Sequence, residues 1–144
     1  MRLYLDSSVL VKLFKIESGS DGIVKIIAAM DKEQDWLGYT SRWSTLEIAR
    51  ALKKDGKPEE LILLNLRELK RHRVSFTRVS DNLLEEAEDI IASYNIYASD
   101  ALHAVTYKAP ERSERLDGFL CDDAHFHRLE NLVKAVTLNQ IKIS

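Results

Sequence analysis

Apolar residues occur along the chain in short runs, separated by longer stretches with a helical period. The short runs predict strands at residues 3–5, 36–39, 74–79, 118–120 and 133–138. Between them, apolar residues spaced three and four apart predict helices of about 10 to 15 residues. Strands that alternate with such helices are typical of a mostly parallel sheet covered on both faces. We therefore predict an α/β fold with a sheet of four or five strands.

Polar residues at the ends of the helical stretches predict where the helices begin. Ser7 or Ser8 is expected to cap the first helix, Ser41 or Ser44 a later one, and Asp81 a third. Serine and aspartate are favoured at these positions because their side-chain oxygens accept hydrogen bonds from the free N–H groups of the first turn.

Two helices are expected to bury apolar side chains in different ways. In the first, Leu46, Ala49 and Leu52 are predicted to face the core, and Gly56 to end the helix. The second follows Pro58 and is apolar on more than one face, with Leu61, Ile62, Leu63, Leu64, Leu66 and Leu69. This helix must bury two sides, either within its own domain or against a twin subunit or another protein.

Composition sets the class of protein. The 144 residues are 45% hydrophobic and 31% charged, which is typical of one globular domain over residues 1–144. The single cysteine, Cys121, cannot form an internal disulfide, so a reducing, cytoplasmic compartment is expected. No apolar run approaches the ~20 residues of a membrane helix, and we expect no signal peptide. The net charge of −2 argues against general attraction to DNA but leaves nucleic acid open as a substrate.

Acidic residues at four positions either follow a predicted strand directly or lie among residues that form the core. Asp6 follows the first predicted strand, and the Asp122–Asp123 pair follows the fourth, so both lie at one edge of a parallel sheet. Glu47 and Asp100 lie among residues that form a core. A buried acid is costly unless it is paired or binds a cation, and the neighbouring sequence offers no evident cationic partner. Oxygen ligands without a Cys/His set suit Mg²⁺ or Mn²⁺, although any one acid can instead cap a helix or pair at the surface.

The segments that carry these acids resemble the four acidic motifs of PIN-domain nucleases. They are LYLDSSVLVKLF at 3–14, LEIARAL at 46–52, SDALHA at 99–104 and LCDDAHF at 120–126. The resemblance covers nearly the whole chain, and the length is similar to that of VapC-type toxins. It implies a three-layer α/β/α fold and a metal-binding set of Asp6, Glu47, Asp100 and Asp123.

Three further residues of these motifs, Ser8, Cys121 and Asp122, are expected to support the site. Asp123 is preferred to Asp122 as the ligand because it precedes Phe126 by three residues, as in the family's fourth motif. Cys121 stands where the family usually has Ser or Thr, and a thiol is a weaker hydrogen-bond donor. Ser8 either supports the Asp6 loop or caps the first helix.

The resemblance implies a Mg²⁺- or Mn²⁺-dependent endoribonuclease in which a metal-activated water attacks an RNA phosphodiester. It further implies the toxin of a type II toxin–antitoxin pair, with an antitoxin partner. The second apolar face of the leucine-rich helix leads us to expect a homodimer. Two alternatives remain open: an RNA-processing PIN nuclease without an antitoxin, and a catalytically silent PIN-fold binding module. A phosphatase or phospho-receiver is disfavoured because Ser8 replaces the second acid of a D-x-D pattern.

The basic and histidine side chains near the motifs have either a role in the site or a purely structural or surface role. Four basic residues surround Glu47 and either guide an RNA backbone or are solvated surface charges: Arg42, Arg50, Lys53 and Lys54. His103 is predicted to be packed or hydrogen-bonded, and His125 and His127 to be solvated. None of the three has the spacing of a zinc site.

Overall fold

A computed structural model describes residues 1–109 and 115–143. Within these residues five parallel strands form one sheet in the order β3-β2-β1-β4-β5. The strands are β1 (Arg2–Leu5), β2 (Leu37–Ser41), β3 (Val74–Thr77), β4 (Gly118–Leu120) and β5 (Ala135–Val136). The α/β prediction and the parallel sheet are therefore confirmed.

Helices connect the strands and cover both faces of the sheet. They are α1 (Ser7–Leu10), α2 (Ser20–Lys32), α3 (Ser44–Lys54), α4 (Glu59–Arg71), α5 (Asp81–Ser93), α6 (Ala98–Tyr107) and α7 (Asp123–Leu129). Short 3-10 turns follow α1 and β5, at Val11–Leu13 and Leu138–Gln140. No helix among the described residues is both long and apolar enough to cross a bilayer.

The central strand β1 divides the interior into two cores. Leu3 and Leu5 pack on one face with residues of α1 to α4, whereas Tyr4 packs on the other face with Phe119 and residues of α6 and α7. This alternation follows from the two-residue period of a strand. A further apolar cluster joins α5 to α6 through residues such as Leu83 and Leu102. The result is the three-layer arrangement that the motifs imply.

Three helix starts differ from the sequence prediction. Asp6, not Ser7 or Ser8, caps α1 by accepting a hydrogen bond from the Ser8 N–H. Trp43 occupies the cap position of α3, and Ser80, not Asp81, caps α5. At α3 the Trp43 side chain makes no capping hydrogen bond to the first turn, and the Ser41 hydroxyl instead accepts from the Trp43 N–H over 3.1 Å.

Helices α3 and α4 differ from expectation in which apolar side chains they bury. Leu46 was predicted to face the core, but it is exposed, and Ile48 is buried instead. On α4, Ile62 and Leu69 are buried within the domain, whereas three leucines of its outer face remain exposed: Leu61, Leu63 and Leu64. The second side of α4 is therefore not covered by the described part of its own chain.

Gly56 ends α3 as predicted. Its φ of 82° lies in the left-handed region, which favours glycine. The Gly56 N–H donates to the Lys53 carbonyl and the Lys57 N–H to the Leu52 carbonyl, which is the double hydrogen-bond pattern of a Schellman motif. The last predicted strand is shorter than expected, because Thr137 already begins a capping box for the final 3-10 turn.

Candidate active site

Asp6 is held at the carboxyl end of β1 by backbone and side-chain hydrogen bonds. Its N–H donates to the Leu120 carbonyl over 2.9 Å, and its Oδ2 accepts from the Ser8 N–H over 3.2 Å. The residue is only 1% exposed, and its second oxygen, Oδ1, accepts no hydrogen bond. An unpartnered buried carboxylate oxygen is costly, so this position calls for a cation.

Asp100 lies in the first turn of α6 and is 4% exposed. Arg128 Nε lies 3.0 Å from its Oδ2, although that oxygen accepts no well-directed hydrogen bond. Burial raises the pKa of the Asp100 carboxyl, while the charges of Arg128 and His125 act in the opposite direction. Asp100 is thus a second buried acid with an oxygen available to a ligand.

The imidazole of His125, on α7, lies close to both of these acids. Its Nε2 lies 3.8 Å from Asp6 Oδ2 and 3.9 Å from Asp100 Oδ1. Its Nδ1 lies 2.7 Å from Asp122 Oδ1. The hydrogen bond to Asp122 raises the pKa of His125, burial opposes this, and the charge of Asp6 adds to the increase. The prediction that His125 is solvated was wrong, because its imidazole lies between two buried carboxylates.

Glu47 reaches the same region through His103. The His103 Nε2 is 2.5 Å from Glu47 Oε1 and 3.8 Å from Asp6 Oδ1, and its Nδ1 is 2.7 Å from the Tyr4 hydroxyl. Burial acts most strongly on His103 and opposes protonation, but the hydrogen bond to Glu47 and the nearby acids outweigh it and raise its pKa. The prediction of a packed, hydrogen-bonded His103 is confirmed.

The acids have partners that carry or can gain a positive charge, and these partners come from segments distant in sequence rather than from the neighbouring sequence. His103, His125 and Arg128 each lie within 4 Å of at least one of the acids. No local signal could have identified them. Arg128 follows Asp100 by 28 residues along the chain, and the His103–Glu47 contact spans 56 residues.

Asp122 and Asp123 occupy different positions at the start of α7. Asp122 is the cap residue, and its Oδ1 accepts from the His125 N–H and is also 2.7 Å from the His125 ring. These hydrogen bonds lower the pKa of Asp122. Asp123 is exposed and lines a groove next to Lys12 and Cys121. Among the described residues His125 contacts both Asp6 and Asp100, whereas no hydrogen bond or ion pair joins Asp123 to either acid.

Ser8 and Cys121 support the loops on which these acids lie. The Ser8 hydroxyl accepts a hydrogen bond from the Asp122 N–H over 3.1 Å and so ties the loop after β1 to the loop after β4. Cys121 is buried, with its Sγ 3.9 Å from the Val136 carbonyl. Burial, with the charges of Asp6 and the other acids, raises the pKa of the Cys121 thiol to about 12. The thiol is thus uncharged at neutral pH.

The four basic residues predicted to contact RNA lie around α3 and are exposed: Arg42, Arg50, Lys53 and Lys54. Arg42 is partly committed to its own helix start, since its Nη1 donates to the Thr45 hydroxyl over 2.8 Å. An exposed position is compatible with either interpretation of these residues, so an RNA contact stays a prediction.

The acids have the oxygen ligands that a divalent cation prefers. Among the described residues, however, no three or more side chains are already arranged to coordinate a metal ion. The fit is carried by the two buried oxygens without hydrogen-bond partners, Asp6 Oδ1 and Asp100 Oδ2. Carboxylate oxygens suit Mg²⁺ and Mn²⁺, and a cation removes the repulsion between neighbouring carboxylates. His125 is the side chain that lies between the two acids where such an ion would bind.

Comparison with protein families decides the family. Residues 3–130 match the model of the PIN domain. The chain belongs to the PIN domain family. The match includes Asp6, Glu47, Asp100 and Asp123, together with Arg128. No match was found among curated proteins.

Solved structures with the same fold include two VapC proteins. VapC20 from Mycobacterium tuberculosis, a sarcin–ricin loop cleaving toxin, is 12% identical with a TM-score of 0.68, covering 88% of this PIN domain and 93% of that chain. VapBC2 from Rickettsia felis, bound to a promoter DNA fragment, is 15% identical with a TM-score of 0.68, covering 95% and 98%. PAE2754 from Pyrobaculum aerophilum is 16% identical with a TM-score of 0.64, covering 96% and 90%. At these identities the likeness concerns the fold.

Proposed function

We propose that this PIN domain is a divalent-metal-dependent endoribonuclease and the toxin of a type II toxin–antitoxin pair. The observation that carries the proposal is the convergence of Asp6 and Asp100, both buried and both with an oxygen that accepts no hydrogen bond. Buried carboxylates are costly unless they are paired, and among the described residues Asp6 has only long ion-pair contacts, of 3.8 Å, to His103 and His125. The description of VapC20 as a toxin that cleaves the sarcin–ricin loop supports RNA as the substrate.

The ligand set that we propose is Asp6, Glu47, Asp100 and Asp123, with Mg²⁺ or Mn²⁺ as the ion. When bound, the ion supplies an activated water and stabilises the charge that develops on the phosphodiester. The residues of the chain prepare the pocket for this chemistry. His103 fixes the direction of the Glu47 carboxylate, and the Ser8–Asp122 hydrogen bond keeps the two acidic loops together.

A guanidinium group and an imidazole with a raised pKa lie against the two acids. Arg128 lies against Asp100, and His125 holds its Nε2 between Asp6 and Asp100. Both side chains are on α7, the helix that begins at the proposed ligand Asp123. We propose that they act as the internal counter-charge of the acid pair.

The proposal of a toxin includes an antitoxin partner and a homodimer. The VapBC2 assembly from Rickettsia felis supports the antitoxin partner. The exposed leucines of α4, Leu61, Leu63 and Leu64, support a protein contact on that helix, and we assign this face to a second copy of the chain. We further propose the cytoplasm as the place of action, since an RNA-cleaving toxin meets its substrate there.

A cleavage assay tests the activity. Total RNA would be incubated with wild-type protein and with the Asp100→Asn variant, each with Mn²⁺ and with a chelator. Asp89→Asn is the matched control, because Asp89 is an exposed acid on α5. We expect cleavage only by the wild type and the control, and only with Mn²⁺. Equal cleavage in all samples, including those with chelator, would refute the proposal.

Expression in cells separates the toxin from the two alternatives. Induction of the wild type, but not of Asp6→Asn, should arrest growth and create new RNA 5′ ends. An RNA-processing nuclease would also create new RNA 5′ ends. It would not cause a growth arrest that is relieved when a neighbouring small reading frame is co-expressed. A silent binding module would create neither, and it would show no measurable affinity for Mn²⁺.

A further inference from the structure

A cleft next to Asp100 is not used by the chemistry described above. It has a volume of about 330 Å³ and is lined by Asn95, Ile96, Tyr97 and Arg128. The first three residues form the connection from α5 to α6, and Arg128 comes from α7. Its size is within the range of small-molecule pockets, about 300–1,000 Å³. Its lining combines an amide, an aromatic ring, an aliphatic side chain and a cation.

Tyr97 is the most unusual member of this lining because its large ring is 69% exposed. The ring does not lie on a loose segment: Tyr97 is the cap residue of α6, and its carbonyl accepts a hydrogen bond from the Ala101 N–H over 3.0 Å. Arg128 Cζ lies 5.3 Å from the ring centroid, which is a cation–π distance. The start of α6 holds the Tyr97 backbone, and the exposed ring lies against the Arg128 guanidinium.

Arg128 joins this ring directly to the acid pair. The guanidinium group that lies over Tyr97 also has its Nε 3.0 Å from Asp100 Oδ2. One guanidinium thus spans the gap between the ring and a proposed metal ligand. A group held on the ring would therefore lie beside the acid pair, with Arg128 in contact with both.

We propose that this cleft is a nucleotide subsite in which Tyr97 stacks against one base of a single-stranded RNA, next to the phosphate that is cleaved. The inference rests on the proposed ribonuclease function and deepens it. Aromatic rings bind bases by stacking, and only an unpaired base can leave its own stack to reach such a ring. Arg128 contributes positive charge towards the backbone, and the exposed Asn95 amide lies where it can contact a base edge.

Binding of a short RNA tests the assignment without relying on cleavage. The parent protein is Asp6→Asn, and the probe is a fluorescein-labelled single-stranded RNA hexamer, measured by fluorescence anisotropy with chelator present. In this background Tyr97→Ala should weaken binding by about 5- to 150-fold, and Tyr97→Phe should leave it nearly unchanged. Tyr94→Ala is the matched control, since Tyr94 is also an exposed tyrosine but does not line the cleft.

Hexamers with one abasic site distinguish stacking from other causes of weak binding. If Tyr97 stacks on a base, removal of that base should weaken binding to the parent but cause little further loss with Tyr97→Ala. Circular dichroism of each variant checks that the fold is retained. Equal binding by the parent and Tyr97→Ala would overturn the inference, as would a loss of the same size for every abasic position in both proteins.

Three further outcomes bear on this inference; the first two separate it from the function on which it rests. If wild-type protein cleaves RNA and Tyr97→Ala binds RNA like its parent, the subsite is refuted and the ribonuclease stands. If Tyr97→Ala weakens RNA binding but wild-type protein never cleaves RNA, the subsite stands and the nuclease is refuted. If Tyr97→Ala loses only the co-expressed antitoxin and keeps RNA affinity, the cleft is a protein contact and the inference is overturned.

Discussion

His103 and Glu47 form a hydrogen bond of 2.5 Å between Nε2 and Oε1, although 56 residues separate them in sequence. The opposite ring nitrogen of His103 is bonded to the Tyr4 hydroxyl, so the imidazole connects the central strand to a proposed metal ligand on α3. A side chain bonded at both nitrogens cannot rotate freely. The carboxylate of Glu47 is thus directed by the core of the protein rather than by its own helix.

Replacing His103 with Ala should therefore release Glu47. We expect a loss of RNA cleavage together with a loss of about 1–3 kcal/mol of stability, because buried hydrogen-bond partners are removed. Tyr4→Phe retains the ring and breaks only the hydroxyl contact, so it should keep most of the stability while cleavage falls. Urea unfolding and a cleavage assay measure the two effects. Full activity of a folded His103→Ala protein would contradict the positioning role.

Mn²⁺ should stabilise the wild type against thermal unfolding. A ligand that binds only the folded state adds about 2.7 kcal/mol at a concentration 100 times its Kd, so Tm should rise with Mn²⁺ concentration. Asp6→Asn and Asp100→Asn should abolish this rise, and the exposed-acid control Asp89→Asn should keep it. Differential scanning fluorimetry across a Mn²⁺ series checks the prediction. A rise of the same size in Asp6→Asn would place the ion elsewhere.

The two neighbouring acids at the start of α7 should respond differently to substitution. Asp122 caps the helix and bonds to His125, so Asp122→Ala should destabilise the protein by about 0.5–2 kcal/mol. Asp123 forms no part of that cap, so Asp123→Ala should leave stability nearly unchanged and weaken Mn²⁺ binding. Thermal unfolding and calorimetric titration of both variants compare the two effects. The reverse pattern would make Asp122 the ligand.

Hydrogen bonds to Asp31, outside the candidate site, should make the stability of the fold depend on pH in the acidic range. Asp31 on α2 accepts from the Arg73 N–H over 2.9 Å and lies 2.7 Å from His72 Nδ1. Burial opposes ionisation of Asp31, but these two hydrogen bonds outweigh it and lower its pKa below 3.8. Because the pKa is lower in the folded state, the stabilisation is complete above the unfolded-state value and disappears as pH falls through the folded-state value.

The variant Asp31→Asn should therefore be less stable than the wild type at neutral pH, and the difference should shrink on acidification between about pH 5 and pH 2. Thermal unfolding at several pH values measures it, with Asp89→Asn as the control. A difference that stays constant over this range would show that the lost contribution does not depend on the charge of Asp31.

The exposed leucines of α4 should determine the oligomeric state. Leu63→Asp and Leu64→Asp place a charge on the outer face, so they should convert a dimer to a monomer with little effect on the fold. Leu66 is unsuitable for this test because it packs against the core. Val24→Asp, at an exposed position on α2, is the control. Size-exclusion chromatography with light scattering gives the mass, and an unchanged dimer in both leucine variants would assign α4 to another partner.

Much of the fold could be predicted because its signals are local. The two-residue alternation that sends Leu3 and Leu5 to one core and Tyr4 to the other follows from strand geometry. The position of Gly56 after a helical stretch was enough to predict the end of α3. Errors occurred where local signals compete. Asp6 took the cap that was expected of Ser7 or Ser8, and Leu46 is exposed because the core lies against the face of α3 that carries Ile48 and Leu52.

The sequence by itself determined the strand–helix order, the parallel sheet and the family, because hydrophobic period and motif order are properties of neighbouring residues. Only the tertiary structure decided which basic side chains contact the acids. His125 and Arg128 reach Asp100 from α7, and His103 reaches Glu47 across the sheet. The energy of such contacts depends on distance and burial, and both are fixed only when segments far apart in the chain pack together.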